Sequence, residues 1–266
     1  MTTSATPTTT GVGAGRSGIP LSRLIRVEMR KLIDTRAGFW LIASIGLITL
    51  AVMIGLLAGN RNKPENLSFG EIFGLMNIPT AIILPVMAIL LVTGEWSQRT
   101  ALTTFAMEPR RERVVIAKLV AAFAAAVGAV ALSLVLGAIG TVIAGILYSD
   151  PAGSWSFSAA GIVNAFVIQI FGLLLGFGFA ALILNTPGAI VAYFALPTAL
   201  SIVSELLPSF GDSVGEWIDS GATQVPFQSG DWATGGEWMR FIVSGIVWIG
   251  IPLAFGILRI LRTEIK

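Results

Sequence analysis

Six unbroken apolar runs constrain what this chain can fold into. They cover residues 38–58, 72–93, 114–147, 159–184, 187–207 and 241–261. A helix rises about 1.5 Å per residue and the hydrocarbon core of a bilayer is about 30 Å thick, so each run is long enough to cross it. Soluble domains place their apolar residues in periodic stripes instead. The sequence therefore predicts an all-α integral membrane protein with six transmembrane helices.

The composition agrees with this prediction. Of the 266 residues, 55% are hydrophobic and 12% are charged, and the mean hydropathy is +0.83. Soluble domains carry a charged fraction of about 25%. The third run is the longest, and as one helix it would be about 51 Å long, so it must protrude from the bilayer or break. Two spans would need about 40 residues, so it counts as one.

The basic residues set the expected orientation, because Lys and Arg accumulate in cytoplasmic loops. One side of the predicted bundle holds fourteen of the seventeen, namely Arg16, Arg23, Arg26, Arg30, Lys31, Arg36, Arg99, Arg110, Arg111, Arg113, Lys118, Arg259, Arg262 and Lys266. Arg61, Lys63 and Arg240 fall on the other side, together with most of the acids. We therefore expect a multi-pass membrane protein with both termini in the cytoplasm; its assignment to the plasma membrane of a bacterium is a further expectation.

The N-terminal region divides into two parts. Residues 1–18 are rich in Thr, Gly and Ser and contain no apolar run, which predicts a disordered cytoplasmic tail. Residues 19–266 form the single transmembrane domain, which opens with apolar residues near the 3.6-residue period: Leu21, Leu24, Ile25, Met29, Leu32 and Ile33. Basic residues occupy the positions between them, as in an interfacial amphipathic helix. This helix is either a plain basic flank of the first span or a surface that lies along the inner leaflet.

Several chemistries are excluded by missing residues. The chain has no Cys and no His, which removes disulfides, haem ligation and thiolate or imidazole metal sites, so we expect no metal site and no catalytic residue. It also lacks the phosphate-binding motif G-x-x-x-x-G-K-[ST], since the glycine-rich stretch 11–18 contains no Lys. The chain is therefore not expected to be an enzyme by itself or to bind a cofactor, and any ATP and Mg²⁺ would be bound by a separate subunit. Nothing indicates a nucleic-acid partner.

A charged island, residues 94–122, separates the second run from the third. Glu95 and Arg99 are spaced i, i+4 with the acid first, a pair that contributes about 0.3–0.5 kcal/mol on a helix. This spacing predicts a short helix over 95–107, which Pro109 ends because the residue before a proline avoids the α region. A second helix would start near Arg110 and become the third span. Lys118, one turn into that span, could extend back to the interface by snorkelling.

The side chains of the island suit contact with another protein. Trp96, Leu102 and Phe105 would be apolar anchors, surrounded by arginines and by Thr100, Thr103 and Thr104. The alternative is an ordinary basic flank that only fixes the orientation in the membrane, but lipid electrostatics does not require the apolar and Thr residues.

The order of residues in the island resembles the cytoplasmic loop of ABC-2 type transporter permeases. The residues that carry the resemblance are Glu95, Arg99, Thr100, Pro109, Arg113 and Lys118. The family usually has a Gly before the Thr, where this chain has Arg99. The resemblance implies a type V exporter-like permease that works as a homodimer or heterodimer by alternating access. It also implies that a separate ABC ATPase docks on a coupling segment formed by Glu95, Trp96, Arg99, Thr100, Thr103, Phe105, Pro109, Arg110, Arg111 and Arg113.

Other functions remain open from the residues alone. An ATP-independent carrier or channel is one, although the near absence of ionisable groups from the spans argues against ion coupling. A non-transporting membrane scaffold or immunity subunit is another. Asn77, Asn164 and Gln169 either line a pathway or hold helices together. The extracellular segment 208–240 either caps the pathway with short helices or is an interfacial loop.

Overall fold

The computed structural model describes residues 19–63, 66–148 and 154–262, and these residues are helical with no strand. Two helices lie beside the spans: α1, Leu21–Asp34, and α4, Ala101–Met107. Six helices are apolar and long enough to cross a membrane: α2, Arg36–Gly59; α3, Phe69–Ser97; α5, Arg111–Tyr148; α6, Ala159–Ile183; α7, Thr186–Leu206; and the final helix, Gly235–Arg262. The predicted all-helical fold with six helices of membrane-spanning length and composition is confirmed. The predicted disordered tail, 1–18, lies outside the described residues.

The centre of the bundle is the pair α3 and α6. In the most apolar stretch of 18 residues, 61% of the residues of α3 and 56% of those of α6 are buried, against 6% of those of α7. Glycines permit the close contact, since a β-carbon at Gly176 would lie 2.9 Å from the carbonyl oxygen of Pro85. Gly137 and Gly140 of α5 similarly abut Phe73 and Ile72 of α3. Small residues therefore mark where these helices approach.

The third span does not break. Helix α5 is continuous over 38 residues, about 57 Å, so it extends well beyond the hydrocarbon core. Helix α1 packs against the first turns of α5 and against the start of α2. We call this end of the bundle, with α1, α4 and the start of α5, the basic end. Because α5 extends beyond the hydrocarbon core, the amphipathic helix α1 can pack on it beside the charged island.

The prolines of the spans lie inside continuous helices. Helix α3 continues through Pro79 and Pro85, and α7 continues through Pro197. The irregularity that the sequence did not indicate is a π-helical turn, Ile246–Gly250, in the final helix. It ends two residues before Pro252, whose missing N–H removes a regular helical hydrogen bond.

The segment between α7 and the final helix is folded rather than a loop. It contains Pro208–Phe210, a π-helical turn Gly211–Gly215, Glu216–Ile218, Ser220–Gln224 and a 3-10 turn Val225–Gln228. The carboxylate of Asp219 accepts hydrogen bonds from the Gly221 N–H at 2.8 Å and from Ser201 Oγ of α7 at 2.7 Å. Phe227 is buried against Phe171 and Phe241. These contacts fix the segment to α6, α7 and the final helix.

Candidate functional site at the basic end

Four ionisable side chains from three helices meet at the basic end. Lys31 of α1 lies 2.6 Å from Glu28 of the same helix and 2.5 Å from Glu95 of α3. Lys118 of α5 lies 2.9 Å from Glu28 and 3.1 Å from Glu95. Each ammonium therefore contacts both carboxylates. We call Glu28, Lys31, Glu95 and Lys118 the charged tetrad, and it joins α1, α3 and α5.

The tetrad is largely removed from solvent. The side chains of Glu28, Glu95 and Lys118 are 5%, 8% and 6% exposed, and that of Lys31 is 34% exposed. Lys118 also donates to the carbonyl oxygen of Leu91 at 2.9 Å. Two positive and two negative groups leave the cluster neutral, which is the condition under which buried charges are tolerated.

Lys31 stays charged at the edge of the tetrad. Burial by itself would lower its pKa, but the carboxylates of Glu28 and Glu95 together outweigh this effect and raise the pKa above the ordinary value of 10.5. The stability that Lys31 contributes through its charge is therefore fully present below that ordinary value. It is lost only as the pH rises through the higher pKa of the folded state.

The tetrad corrects two predictions from the sequence. Glu95 does not pair with Arg99 one turn away, because α3 ends at Ser97 and Glu95 faces Lys31 and Lys118 instead. Lys118 does not snorkel to the interface, because its ammonium is held inside by Glu28 and Glu95. A sequence signal for this arrangement exists: Glu28 interrupts the apolar stripe of α1, one turn from both Leu24 and Leu32. A carboxylate on the apolar face of a helix is buried when that face packs, and it then requires a cation as a partner.

The helix predicted over 95–107 is wrong, because the chain turns at 98–100 between α3 and α4. Thr100 N–H donates to the Glu95 carbonyl at 2.9 Å and Arg99 N–H donates to the Trp96 carbonyl at 3.2 Å. These two bonds form a Schellman motif, in which the residue at the position of Arg99 is left-handed and usually Gly. Arg99 has φ 56°.

This turn gives a direct prediction for Arg99→Gly. The left-handed conformation crowds a β-carbon, so Gly should stabilise the protein by about 1 kcal/mol. Arg99→Ala is the matched control, because it removes the same charge but keeps the β-carbon. Thermal unfolding in detergent should place the Gly variant above the Ala variant. Equal stabilities of the two variants would contradict a strained turn.

The apolar side chains of the island are divided between an inner and an outer face. Trp96 and Phe105 are half-buried, with ring centroids 6.3 Å apart, and pack against the core of the bundle. They are therefore only partly exposed, and their predicted role as anchors stays a prediction. Leu102 and Met107 of α4 are 51% and 65% exposed. Leu102 was among the predicted anchors, whereas Met107 was not.

The remaining residues of the island follow the same division. The guanidinium of Arg111 lies over the Phe105 ring, 5.0 Å from its centroid, and donates to the Ile260 carbonyl of the final helix at 2.7 Å. Arg113 lies 2.8 Å from Glu108 and donates to the Ile19 carbonyl at 2.6 Å. The exposed members of the predicted coupling segment are Arg99, Thr100, Thr103, Pro109 and Arg110. The inner members are Glu95, Trp96, Phe105, Arg111 and Arg113.

The three amides considered for a pathway all donate hydrogen bonds within the chain. Gln169 Nε2 of α6 donates to Thr80 Oγ1 of α3 at 2.6 Å. Asn164 Nδ2 donates to the carbonyls of Ser229 and Asp231, at 3.1 and 2.9 Å. Asn77 Nδ2 donates to the Phe73 carbonyl of its own helix at 2.9 Å. Asn77 and Gln169 also line a cavity of about 990 Å³ at the end opposite the basic end.

The comparisons with known proteins leave the chain without an assigned family. No protein-family model matches it, and no curated protein is significantly similar to it in sequence.

Proposed function

We propose that this chain is the membrane-spanning permease subunit of an ABC transporter, of the ABC-2 type, and that it exports its substrate by alternating access. The observation that carries the proposal is the charged tetrad, which fastens α1, α3 and α5 together beside the exposed helix α4. A short helix on a rigid junction of three helices can pass the movement of a bound protein into the membrane domain. ATP and Mg²⁺ are bound by a separate ATPase chain.

The distribution of charge supports a cytoplasmic position for the basic end. Basic residues in loops near the ends of transmembrane helices favour the cytoplasmic side. Arg99 and Arg110 fall between α3 and α5, Arg111 and Arg113 lie in the first turn of α5, and Arg259 and Arg262 lie in the last turn of the final helix. In this orientation both termini are cytoplasmic, the protein is in the plasma membrane of a bacterium, and α4 faces the compartment that contains ATP.

The chemistry of α4 indicates what its partner surface requires. The exposed side chains on and beside α4 include the apolar Leu102 and Met107 and the polar Arg99, Thr103 and Arg110. Interfaces commonly combine a central apolar anchor with a polar rim. The ATPase groove that receives α4 should therefore be apolar at its centre and acidic at its edge.

A second permease copy or a paralogue fits the uncovered faces of the bundle. Only 22% of the residues in the most apolar stretch of α2 are buried, and only 6% of those in the most apolar stretch of α7. These faces are available to lipid and to another chain. In the proposed complex two permease chains and two ATPase chains assemble, and the substrate path opens alternately to each side along the contact between the permeases.

Reconstitution tests the proposal. The chain would be coexpressed with the ABC ATPase encoded beside its gene, purified and placed in lipid vesicles. We expect the ATPase to remain bound, its activity to depend on the permease, and substrate to move only with ATP. Movement without ATP that follows an ion gradient would identify a carrier or channel. A chain that retains no ATPase and moves nothing would be a scaffold or immunity subunit.

A further inference from the structure

A groove of about 1140 Å³ lies at the basic end, between α1, the start of α2, the end of α3 and α4. Its apolar wall includes Leu24, Val27, Leu41, Met87, Leu90 and Met107. Thr103 and Met107 of α4 are among its lining residues, so the groove adjoins the surface of α4 that we assign to the ATPase. We propose that this groove binds an anionic phospholipid of the adjacent leaflet, with an acyl chain against the apolar wall and the phosphate at Arg23 or Arg36.

The depth of the groove matches one leaflet. Along α3 the lining extends from Gln98 down to Met87, eleven residues apart, which is about 16 Å of helix. Half of the hydrocarbon core is about 15 Å thick. The neighbouring turn of α2 exposes Phe39 and Trp40, side chains that favour the interface between membrane and water. An acyl chain that enters beside them can therefore remain at its normal depth in the bilayer.

The charges of the groove favour an anion. Glu28, Lys31 and Glu95 belong to the charged tetrad, in which Lys118 completes neutrality, and Glu108 pairs with Arg113. Arg23 and Arg36 also line the groove and lie near the two ends of α1. Neither has a carboxylate partner within the described part of the chain. These two guanidinium groups are the uncompensated charges of the groove, and a lipid phosphate bound at one of them would be attracted by both.

The chain's own N-terminal tail is a poor alternative occupant. Residues 1–18 have one branched aliphatic side chain, Val12, and are otherwise mostly Thr, Gly, Ser and Ala. Such a composition gains little from an apolar groove. A lipid supplies both the apolar chain and the negative charge that the lining residues require.

Binding of lipid to the full-length chain tests the proposal without any ATPase. The delipidated protein in detergent would be titrated with dioleoyl phosphatidylglycerol or dioleoyl phosphatidylcholine, and the bound lipid counted by native mass spectrometry. We expect phosphatidylglycerol to bind about 30-fold more tightly, given the usual contribution of two basic groups. The variant Arg23→Gln/Arg36→Gln should lose that preference. Val27→Trp, which fills the groove, should weaken binding of both lipids.

Controls separate the groove from other sources of binding. Arg26→Gln/Arg30→Gln removes two exposed charges of α1 that do not line the groove, and should change affinity by less than about 3-fold. An equal loss in both double variants would show diffuse attraction and overturn the proposal. So would displacement of the lipid by glycerol phosphate, which indicates a free anion site, or a gain in lipid affinity on deletion of residues 2–18, which indicates that the tail occupies the groove.

Discussion

Lys118→Met should destabilise the folded chain by about 3–5 kcal/mol, because it leaves the buried carboxylates of Glu28 and Glu95 without half of their positive charge. Glu28→Gln should have a similar effect, since it leaves an ammonium in excess. The measurement is unfolding in detergent, followed by circular dichroism. Lys63→Met is the matched control, because Lys63 is exposed at the opposite end and its replacement should change stability by less than about 0.5 kcal/mol.

The double variant Glu28→Gln/Lys118→Met provides the decisive comparison. It removes one acid and one base and restores neutrality, so it should be more stable than the sum of the single effects predicts, by at least about 1 kcal/mol. Strictly additive effects would show that the four groups do not act as one cluster. Such a result would also remove the physical link between α1, α3 and α5 on which the proposed coupling depends.

Leu102→Asp should reduce binding of the ATPase by about 30-fold or more, because it places a charge at the centre of the exposed apolar face of α4. Arg110→Glu should weaken binding less, since it changes the rim. Retention of the ATPase on the immobilised permease measures both effects. Val225→Asp is the control: Val225 is 60% exposed in the segment at the opposite end, so the same kind of substitution should leave ATPase binding unchanged.

The choice of Leu102 follows from the structure. Variants of Glu95, Trp96 or Phe105 would disturb the tetrad or the core, so a loss of ATPase binding in them would not separate docking from folding. Leu102→Asp should leave the unfolding temperature unchanged. Full ATPase retention by a correctly folded Leu102→Asp variant would contradict the assignment of α4 as the docking helix.

The six spans could be predicted because the bilayer thickness limits how short an apolar run can be. The predicted start residues were too late in the sequence where polar residues begin a helix. Helix α3 starts at Phe69 and not at residue 72, because Ser68 and Glu71 form a capping box. The final helix starts at Gly235, six residues before the apolar run, because Thr234 and Glu237 form another. The pattern Ser or Thr, two residues, then Glu is visible in the sequence and indicates both starts.

The candidate site was only partly predictable. The location of the charged island can be read from the sequence, whereas its division into exposed and inner residues depends on contacts between distant parts of the chain. Its location follows from the gap between two apolar runs. The tetrad joins residues that are 64 and 90 positions apart, and no local spacing specifies such contacts. The pairing expected for Glu95 failed because an i, i+4 pattern assumes that the helix continues, whereas the backbone reverses at Arg99.

The exposure of α7 has a consequence for how its sequence can vary. Ala189 is the only residue of this helix that the described structure buries fully. Contacts within the chain constrain a few other side chains, namely Thr186, Tyr193 and Ser201, and leave most of the rest facing lipid. A saturation mutagenesis scan should find α6 intolerant along its length and α7 permissive to most apolar residues. Positions of α7 that nevertheless reject apolar replacements would map the footprint of a neighbouring protein.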